Sequence, residues 1–520
     1  MTYRVAVVGG GMAGLAAAYE LESRRQAGAP LEWVLIERDD RLGGKVHTVR
    51  EEGFVIEGGP DSFIIEKPWP IELARKVGVY DRLLNSNDEI RKSFIYSGGR
   101  LHELPEGLIL MVPTRLVPFA LSSLISWPGK LRMGLDLVLP RGPGGDESLG
   151  HFVRRRLGRE ALEKIAEPLV AGIHAGDPEQ MSVQSTFPMF IDMEQKYRSL
   201  VLGMVMRRRA RVRAQRRRAA SAPTGAGAAP SPAAPKRSYF LTFTTGLADL
   251  SDAVVAALPA ARLRLGVAVE ALARLDGGPL AQAAGTPGRA AAGYELRLSD
   301  GTTERVDAVV LAAPAFATGA LLRQVAPSVA GDLESIAYVT SATVSVAFRR
   351  SEVHHPLRGF GYVVPRAEAR PVMATTWTSS KFPGRAPADY VLLRSFVGRA
   401  GYEHYAMVDD DELRRLVLDE LRETLGIHAQ PVLTRIFRWP NGMPQYRVGH
   451  AALVERIERG VAALPGIEIA GGAYHGIGIG DCIREGTAAA RRVAEYIAGA
   501  PEEPVPAQRI DLPAADGITD

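Results

Sequence analysis

Four apolar residues, Val5-Ala6-Val7-Val8, run directly into Gly9-Gly10-Gly11-Met12-Ala13-Gly14, and an alanine-rich stretch continues from about Ala13 to Arg25. The pattern predicts a buried strand, a glycine turn and a helix. Gly9 permits the tight turn, Gly11 lets backbone approach a pyrophosphate, and Gly14 lets the helix pack on the strand. The helix start then presents N–H groups to a diphosphate. Trp33 to Ile36 reads as the second strand, and Glu37 stands at its end, 23 residues after Gly14. A carboxylate there can accept both hydroxyls of a ribose. A glycine fingerprint alone occurs at plain strand turns; joined to Glu37 it points to a dinucleotide on a doubly wound α/β fold.

A second glycine-rich segment separates flavin from nicotinamide. Arg41-Leu42-Gly43-Gly44-Lys45 comes straight after the acidic residue, then Glu57-Gly58-Gly59-Pro60-Asp61-Ser62. Such a turn brings more backbone N–H groups to the ribityl and pyrophosphate, which a simple nicotinamide dehydrogenase does not need. This run resembles the flavin-binding segment of the amine oxidase and protoporphyrinogen oxidase superfamily. At the far end, Gly471-Gly472-Ala473-Tyr474-His475-Gly476-Ile477-Gly478-Ile479-Gly480-Asp481-Cys482 precedes a final helix. The positive end of that helix suits the negative charge of a reduced flavin. One cofactor served from both ends of the chain requires a discontinuous FAD-binding domain.

At 520 residues the chain exceeds one compact core. We expect a Rossmann-like FAD-binding domain from residues 1–66, 239–315 and 440–500. An α+β substrate-binding domain is expected from 316–439 with 67–85, and a mostly helical domain from 86–206. The net charge of +4 misleads, because eight arginines between Arg207 and Arg218, with Lys236 and Arg237, leave about −6 for the rest. Residues 207–238 lack apolar periodicity and read as a disordered basic insert; the proline-rich 501–520 reads as a flexible tail. Without interleaved aromatic residues, the insert is not read as a nucleic-acid site. One cysteine excludes an intrachain disulfide, the histidines show no metal-ligand spacing, and a strand starting at Val5 leaves no room for a secretory signal. These features suit a cytoplasmic protein. No run of eighteen apolar residues occurs; the nearest, from Leu108 to Trp127, is broken by Pro113, Arg115 and Pro118 and suits at most a peripheral membrane contact or a substrate entrance.

Narrower motifs run through the middle. They are Glu147-Ser148-Leu149-Gly150-His151-Phe152, Glu167-Pro168-Leu169-Val170-Ala171-Gly172-Ile173-His174-Ala175-Gly176-Asp177, Trp377-Thr378-Ser379-Ser380-Lys381, and Trp439 with Pro444-Gln445-Tyr446. Together with the Gly-Ile-Gly-Ile-Gly-Asp-Cys-Ile end they resemble the protoporphyrinogen and coproporphyrinogen III oxidases, and Gly59-Pro60-Asp61-Ser62-Phe63 is most similar to the soluble Gram-positive branch. The resemblance implies non-covalent FAD held by Gly9 to Gly14, Glu37, Arg38, Lys45, Gly59, Pro60, Asp61, Ser62, Trp439 and the turn Ile477, Gly478, Ile479. It also implies a backbone contact to adenine from the strand 265–272, at Val269. Cys482 does not match the covalent cysteine of some amine oxidases.

The implied reaction takes a porphyrinogen to a porphyrin in haem biosynthesis, most simply coproporphyrinogen III to coproporphyrin III. Six hydrogens leave, so a two-electron cofactor turns over three times, with dioxygen reduced to hydrogen peroxide. Pyrrole nitrogens stabilise the cation left by hydride loss, so no strong base is needed, and no catalytic residue is assigned beyond the flavin. Lys67 is the candidate anchor for substrate carboxylates, against a solvated loop charge. The Gly359-Phe360-Gly361 turn is a candidate for backbone approach to the tetrapyrrole face, against a simple hairpin. Porphyrinogen and dioxygen are the implied partners, with hand-over of product to a ferrochelatase-type enzyme. Protoporphyrinogen IX is the alternative substrate. A flavin amine oxidase is a rival disfavoured by the absence of lysine from Tyr338 to Phe348. A carotenoid desaturase fits the central motifs poorly, and a non-enzymatic tetrapyrrole-binding flavoprotein is the reading from another class.

Overall fold

The computed structural model describes residues 2–105, 107–109, 111–113, 115–221, 237–275 and 293–499. The expected tail at 501–520 and part of the basic segment, 222–236, lie outside the described residues. The described chain divides into two compact units.

The first unit takes residues 2–84, Phe240–Tyr338 and residues 450–499 of the described chain. Its centre is a five-stranded sheet in the order Leu263–Arg264, Leu31–Ile36, Tyr3–Val8, Ala308–Leu311, Ile467–Ile469. All neighbours run parallel, with Val5 opposite both Trp33 and Ala308, and Leu311 opposite Ile469. Parallel strands are buried on both faces, which is why Val5-Ala6-Val7-Val8 carries no polar alternation. Val5 and Val7 join the core formed with Leu15, Leu21, Ile483 and Val493. Ala6 and Val8 face the opposite core, with Leu296, Leu322, Leu333 and Ile457. The helix Met12–Gln26 packs against the last helix, Ile479–Ala498. Their approach is set by Gly486: a Cβ there would lie 1.9 Å from the Ala13 carbonyl oxygen.

The second unit takes Asn85–Tyr239 and Val339–Gly449. Its seven-stranded sheet has the order Leu433–Pro444, Tyr338–Arg349, Tyr390–Val397, Val372–Thr376, Gly361–Val363, Ser93–Ser97, Arg100–Glu103. The helix Asp410–Leu425 covers it with Leu413, Val417, Leu421 and Leu425, spaced four apart on one face, packed among Val344, Phe348 and Leu393. A helical cluster forms a further core around Phe152, Ile165, Phe190 and Met193.

Residues 86–206 are mostly helical and also supply Ser93–Ser97 and Arg100–Glu103 to the seven-stranded sheet, strands too short to declare themselves without their partners. Two expectations need correction. Residues 207–221 do not form a loop, because they complete the helix Leu200–Ser221; arginine and alanine are strong helix formers. The domain boundaries also differ. The helix Trp69–Lys76 buries Leu73 and Ala74 in the first unit, as do the helices Ala315–Leu322 and Pro327–Glu334 with Leu322 and Leu333.

Candidate active site

At the end of the first strand, Gly9 takes φ +105° and donates its N–H to the Ile36 carbonyl, 2.9 Å. A Cβ on Gly14 would fall 1.8 Å from the Gly9 carbonyl oxygen, so helix and turn approach as closely as backbone allows. Gly11 differs. It begins the helix with ordinary backbone angles, and a Cβ on it would meet nothing within 4 Å. The two ends of the fingerprint thus serve packing, while its middle faces open space. Met12 and Ala13 are buried in the helix.

Glu37 is held over this turn. Its carboxylate accepts the Gly10 N–H at 2.5 Å and the Asp39 N–H at 2.9 Å, one on each oxygen, and each oxygen retains a lone pair. Beside it Arg38 is largely exposed and reaches Asp39 at 3.5 Å. The segment expected to reach adenine runs past here: the Val267 N–H donates to the Glu37 carbonyl, 3.0 Å, whereas Val269 starts the next strand opposite Leu298. Val267, two residues before the expected position, is the one against the acidic residue.

The second glycine loop is bonded to the first through the Gly43 N–H and Gly10 carbonyl, 2.9 Å, and Arg41 clamps it by donating to the Gly44 carbonyl, 2.6 Å. Lys45 is next in the chain. Its side chain is exposed, yet the protein packed around it lowers its pKa. Gly59 packs on the Lys45 carbonyl, where a Cβ would come within 1.8 Å, and leads into Pro60, Asp61 and Ser62, with the Ser62 hydroxyl donating to Asp61 at 2.6 Å.

From the far end of the chain, Ile477 and Gly478 remain partly exposed and Ile479 opens the last helix. Asp481, fully buried in its first turn, accepts the Gly478 N–H at 3.2 Å and pairs with Lys67. Its other oxygen accepts no hydrogen bond among the described residues, and the Arg484 guanidinium comes no nearer than 3.9 Å. Lys67 is therefore already matched inside the protein. Sequence reasoning missed Asp481, although an acidic residue three places after a helix-capping glycine was a readable signal.

In the second unit, Trp439 is half-buried on the strand Leu433–Pro444. Gly359 and Gly361 are buried by their own neighbours: a Cβ would lie 2.8 Å from the Phe94 ring and 2.0 Å from the Thr375 carbonyl oxygen, respectively. Phe360 exchanges backbone bonds with Lys92 and Trp377. Close packing within the sheet already accounts for both glycines.

The profile of the family described as flavin containing amine oxidoreductase matches residues 12–494. The chain belongs to that family. It is 34% identical to the coproporphyrinogen III oxidase of Bacillus subtilis, over 95% of this chain and 98% of the relative. Identity to the Propionibacterium freudenreichii protein of the same name is 39%, over 96% and 92%. A crystal structure from Exiguobacterium sp. 255-15, provisionally named a protoporphyrinogen oxidase, superposes with TM-score 0.79 at 34% identity, over 95% of this chain and 99% of that one.

Membership of this flavin-containing family makes the protein an FAD-dependent oxidoreductase, and the residues present fit the cofactor. Open space at Gly11 leaves room for a pyrophosphate, Glu37 keeps lone pairs for ribose hydroxyls, and an exposed cation stands at Lys45. A helix start carrying a buried, incompletely partnered carboxylate completes the set. Burial, with Asp481 alongside, pushes the Cys482 thiol up to about 11, so it stays protonated and poorly nucleophilic near neutrality.

Proposed function

We propose that this protein oxidises a porphyrinogen to a porphyrin in haem biosynthesis, with coproporphyrinogen III as substrate. The observation that carries the reading is end-to-end similarity to proteins named for that reaction, at 34% and 39% identity. FAD, when bound, supplies the hydride acceptor and passes two electrons at a time to dioxygen, giving hydrogen peroxide. The chain's own part is to hold and to exclude. Glu37 and the backbone N–H groups of Gly9 to Gly14 fix the dinucleotide end, Lys45 lies beside it, and the start of the last helix supplies positive potential at the other end. Arg38, Gly59 to Ser62, Val269, Trp439 and Ile477 to Ile479 complete the proposed cofactor contacts. Lys67, paired with Asp481, serves the cofactor side in this reading. The Gly359–Gly361 turn remains the proposed wall beside the tetrapyrrole. A cytoplasmic setting and transfer of product to a ferrochelatase-type enzyme belong to the same proposal.

Protoporphyrinogen IX is the second reading, supported by the name of the Exiguobacterium structure. Steady-state rates on the two porphyrinogens under air, monitored by porphyrin fluorescence with peroxide assayed in parallel, separate them. Preference for the four-carboxylate substrate is expected. Preference for the two-carboxylate compound would reassign the substrate, and no turnover of either by flavin-loaded protein would remove the proposal.

A further inference from the structure

The carboxylate of Asp481 lies where no ligand can touch it. It is fully buried in the first turn of the last helix, and Gly476 closes over it: a Cβ there would fall 2.4 Å from the carboxylate carbon. Oδ2 accepts the Gly478 N–H at 3.2 Å and pairs with the Lys67 ammonium. Oδ1 is equally enclosed and has no hydrogen-bond partner among the described residues. The Arg484 guanidinium, 3.9 Å away, is taken by Glu485 at 2.9 Å and lies 5.1 Å from the Trp69 ring centre. A buried charge with an unused oxygen is unfavourable and needs a reason.

Capping does not provide one. An asparagine of the same size offers a carbonyl oxygen able to accept the Gly478 N–H. What the carboxylate adds over an amide is its charge. That charge stands at the start of a helix of 20 residues, whose first turn presents positive potential. The opposite charge stands at the same place: a Cβ on Gly478 would lie 3.0 Å from Asp481 Oδ2 and 3.7 Å from Lys67 Nζ. Both fields reach the neighbouring side chain. At Cys482, after burial, the Asp481 charge raises the thiol pKa, while the Lys45 and Lys67 charges oppose it.

We propose that Asp481 and Lys67 form a charge pair that sets how tightly the bound flavin holds its electrons, with Asp481 acting through its field alone. A reduced flavin is negatively charged, and the helix start favours that charge. Lys67 adds to the effect and Asp481 subtracts from it. Each porphyrin made requires the cofactor to be reduced and reoxidised three times, and a reduced state held too tightly leaves less driving force for passing electrons to dioxygen. The inference rests on the flavin lying at the start of the last helix, as proposed above, and not on which porphyrinogen is oxidised.

The test is sulfite binding to the FAD-saturated full chain, followed by loss of flavin absorbance, with the reduction potential read against a reference dye. Sulfite adds to oxidised flavin and leaves the ring negative, so its affinity reports the local field. Asp481→Asn leaves Lys67 uncompensated; sulfite then binds about tenfold more tightly and the potential rises. Lys67→Met leaves the carboxylate uncompensated and shifts both the other way by a similar factor. Lys67→Met/Asp481→Asn returns close to wild type, and Lys67→Arg, which keeps the charge, stays there. A pair that serves only to hold the fold does not give opposite shifts from its two single variants. Shifts of the same sign, or no tightening in Asp481→Asn, overturn the proposal. Ile477→Glu, on the partly exposed turn, separates the two ways of failing. Weakened sulfite binding in this variant alone shows that the flavin is at the helix start and the pair is silent. No change in any variant shows that the flavin lies elsewhere, and the proposal falls with its placement.

Discussion

The Lys67 ammonium pairs with the carboxylate of Asp481, 414 residues further along the chain. Asp481 is buried to 1% side-chain exposure, whereas Lys67 keeps 24%. The pair fixes the segment after the Gly59–Ser62 turn onto the start of the last helix. Lys67→Met leaves Asp481 in the interior without its cation, a change that costs about 2–4 kcal/mol when one partner of such a pair is removed. We expect a lower melting temperature and partial loss of FAD on gel filtration, with Lys67→Met/Asp481→Asn recovering much of the stability. An unchanged melting curve for the single variant would show that the pair carries no weight.

The end and the middle of the fingerprint make opposite demands. Gly14→Ala places a methyl 1.8 Å from the Gly9 carbonyl oxygen, so the helix must move off the strand. A loss of roughly 3 kcal/mol or more is expected, read from denaturant unfolding. Gly11→Ala meets no neighbour within 4 Å and has a φ of −71°, which alanine adopts freely. Apoprotein stability should hold, while flavin binding, titrated by fluorescence quenching, falls because the methyl occupies the space kept for the pyrophosphate. Equal flavin affinity in Gly11→Ala and wild type would place the pyrophosphate elsewhere.

The parallel sheet and cofactor turns were legible because each is written locally: a strand of four buried residues, glycines at fixed offsets, a carboxylate at the next strand's end. The features that escaped depend on distant partners. Ser93–Ser97 is a strand only because Gly361–Val363 lies beside it. Lys67 read as a substrate anchor because nothing near it in sequence announces Asp481. For Gly359 and Gly361 the sequence left a ligand wall and a simple hairpin equally open, and it could not show that Phe94 and Thr375 occupy the space beside them. The helix Leu200–Ser221 escaped for another reason, since its arginine- and alanine-rich run carries no apolar periodicity to read.

Acid should loosen the first unit through Glu22. Its hydrogen bonds to Arg25, then to Trp33 and Gln26, outweigh burial and bring its pKa from 4.5 down to about 2. Because the folded-state value lies below the unfolded one, this stabilisation is complete above pH 4.5 and is lost as pH falls toward 2. The contribution is on the order of 2–3 kcal/mol. Glu22→Gln should remove that part of the acid dependence while lowering stability at neutral pH. Parallel unfolding curves for variant and wild type between these limits would assign the acid sensitivity to other carboxylates.

Cys482 offers a chemical readout of the same helix start. Its thiol is pushed from 9.0 up to about 11, chiefly by burial and next by the Asp481 charge, with Lys45 opposing. Alkylation requires the thiolate, so at pH 8 the reactive fraction is about a hundredfold smaller than for an unperturbed thiol. N-ethylmaleimide labelling, read by mass spectrometry, should be correspondingly slow and should rise about tenfold per pH unit. Removing the neighbouring charge, in Asp481→Asn, lowers the thiol pKa and speeds labelling. Lys45→Met acts the other way, since the ammonium that favours the thiolate is gone. If both variants label at the wild-type rate, neither charge reaches the sulfur, and burial alone sets its chemistry.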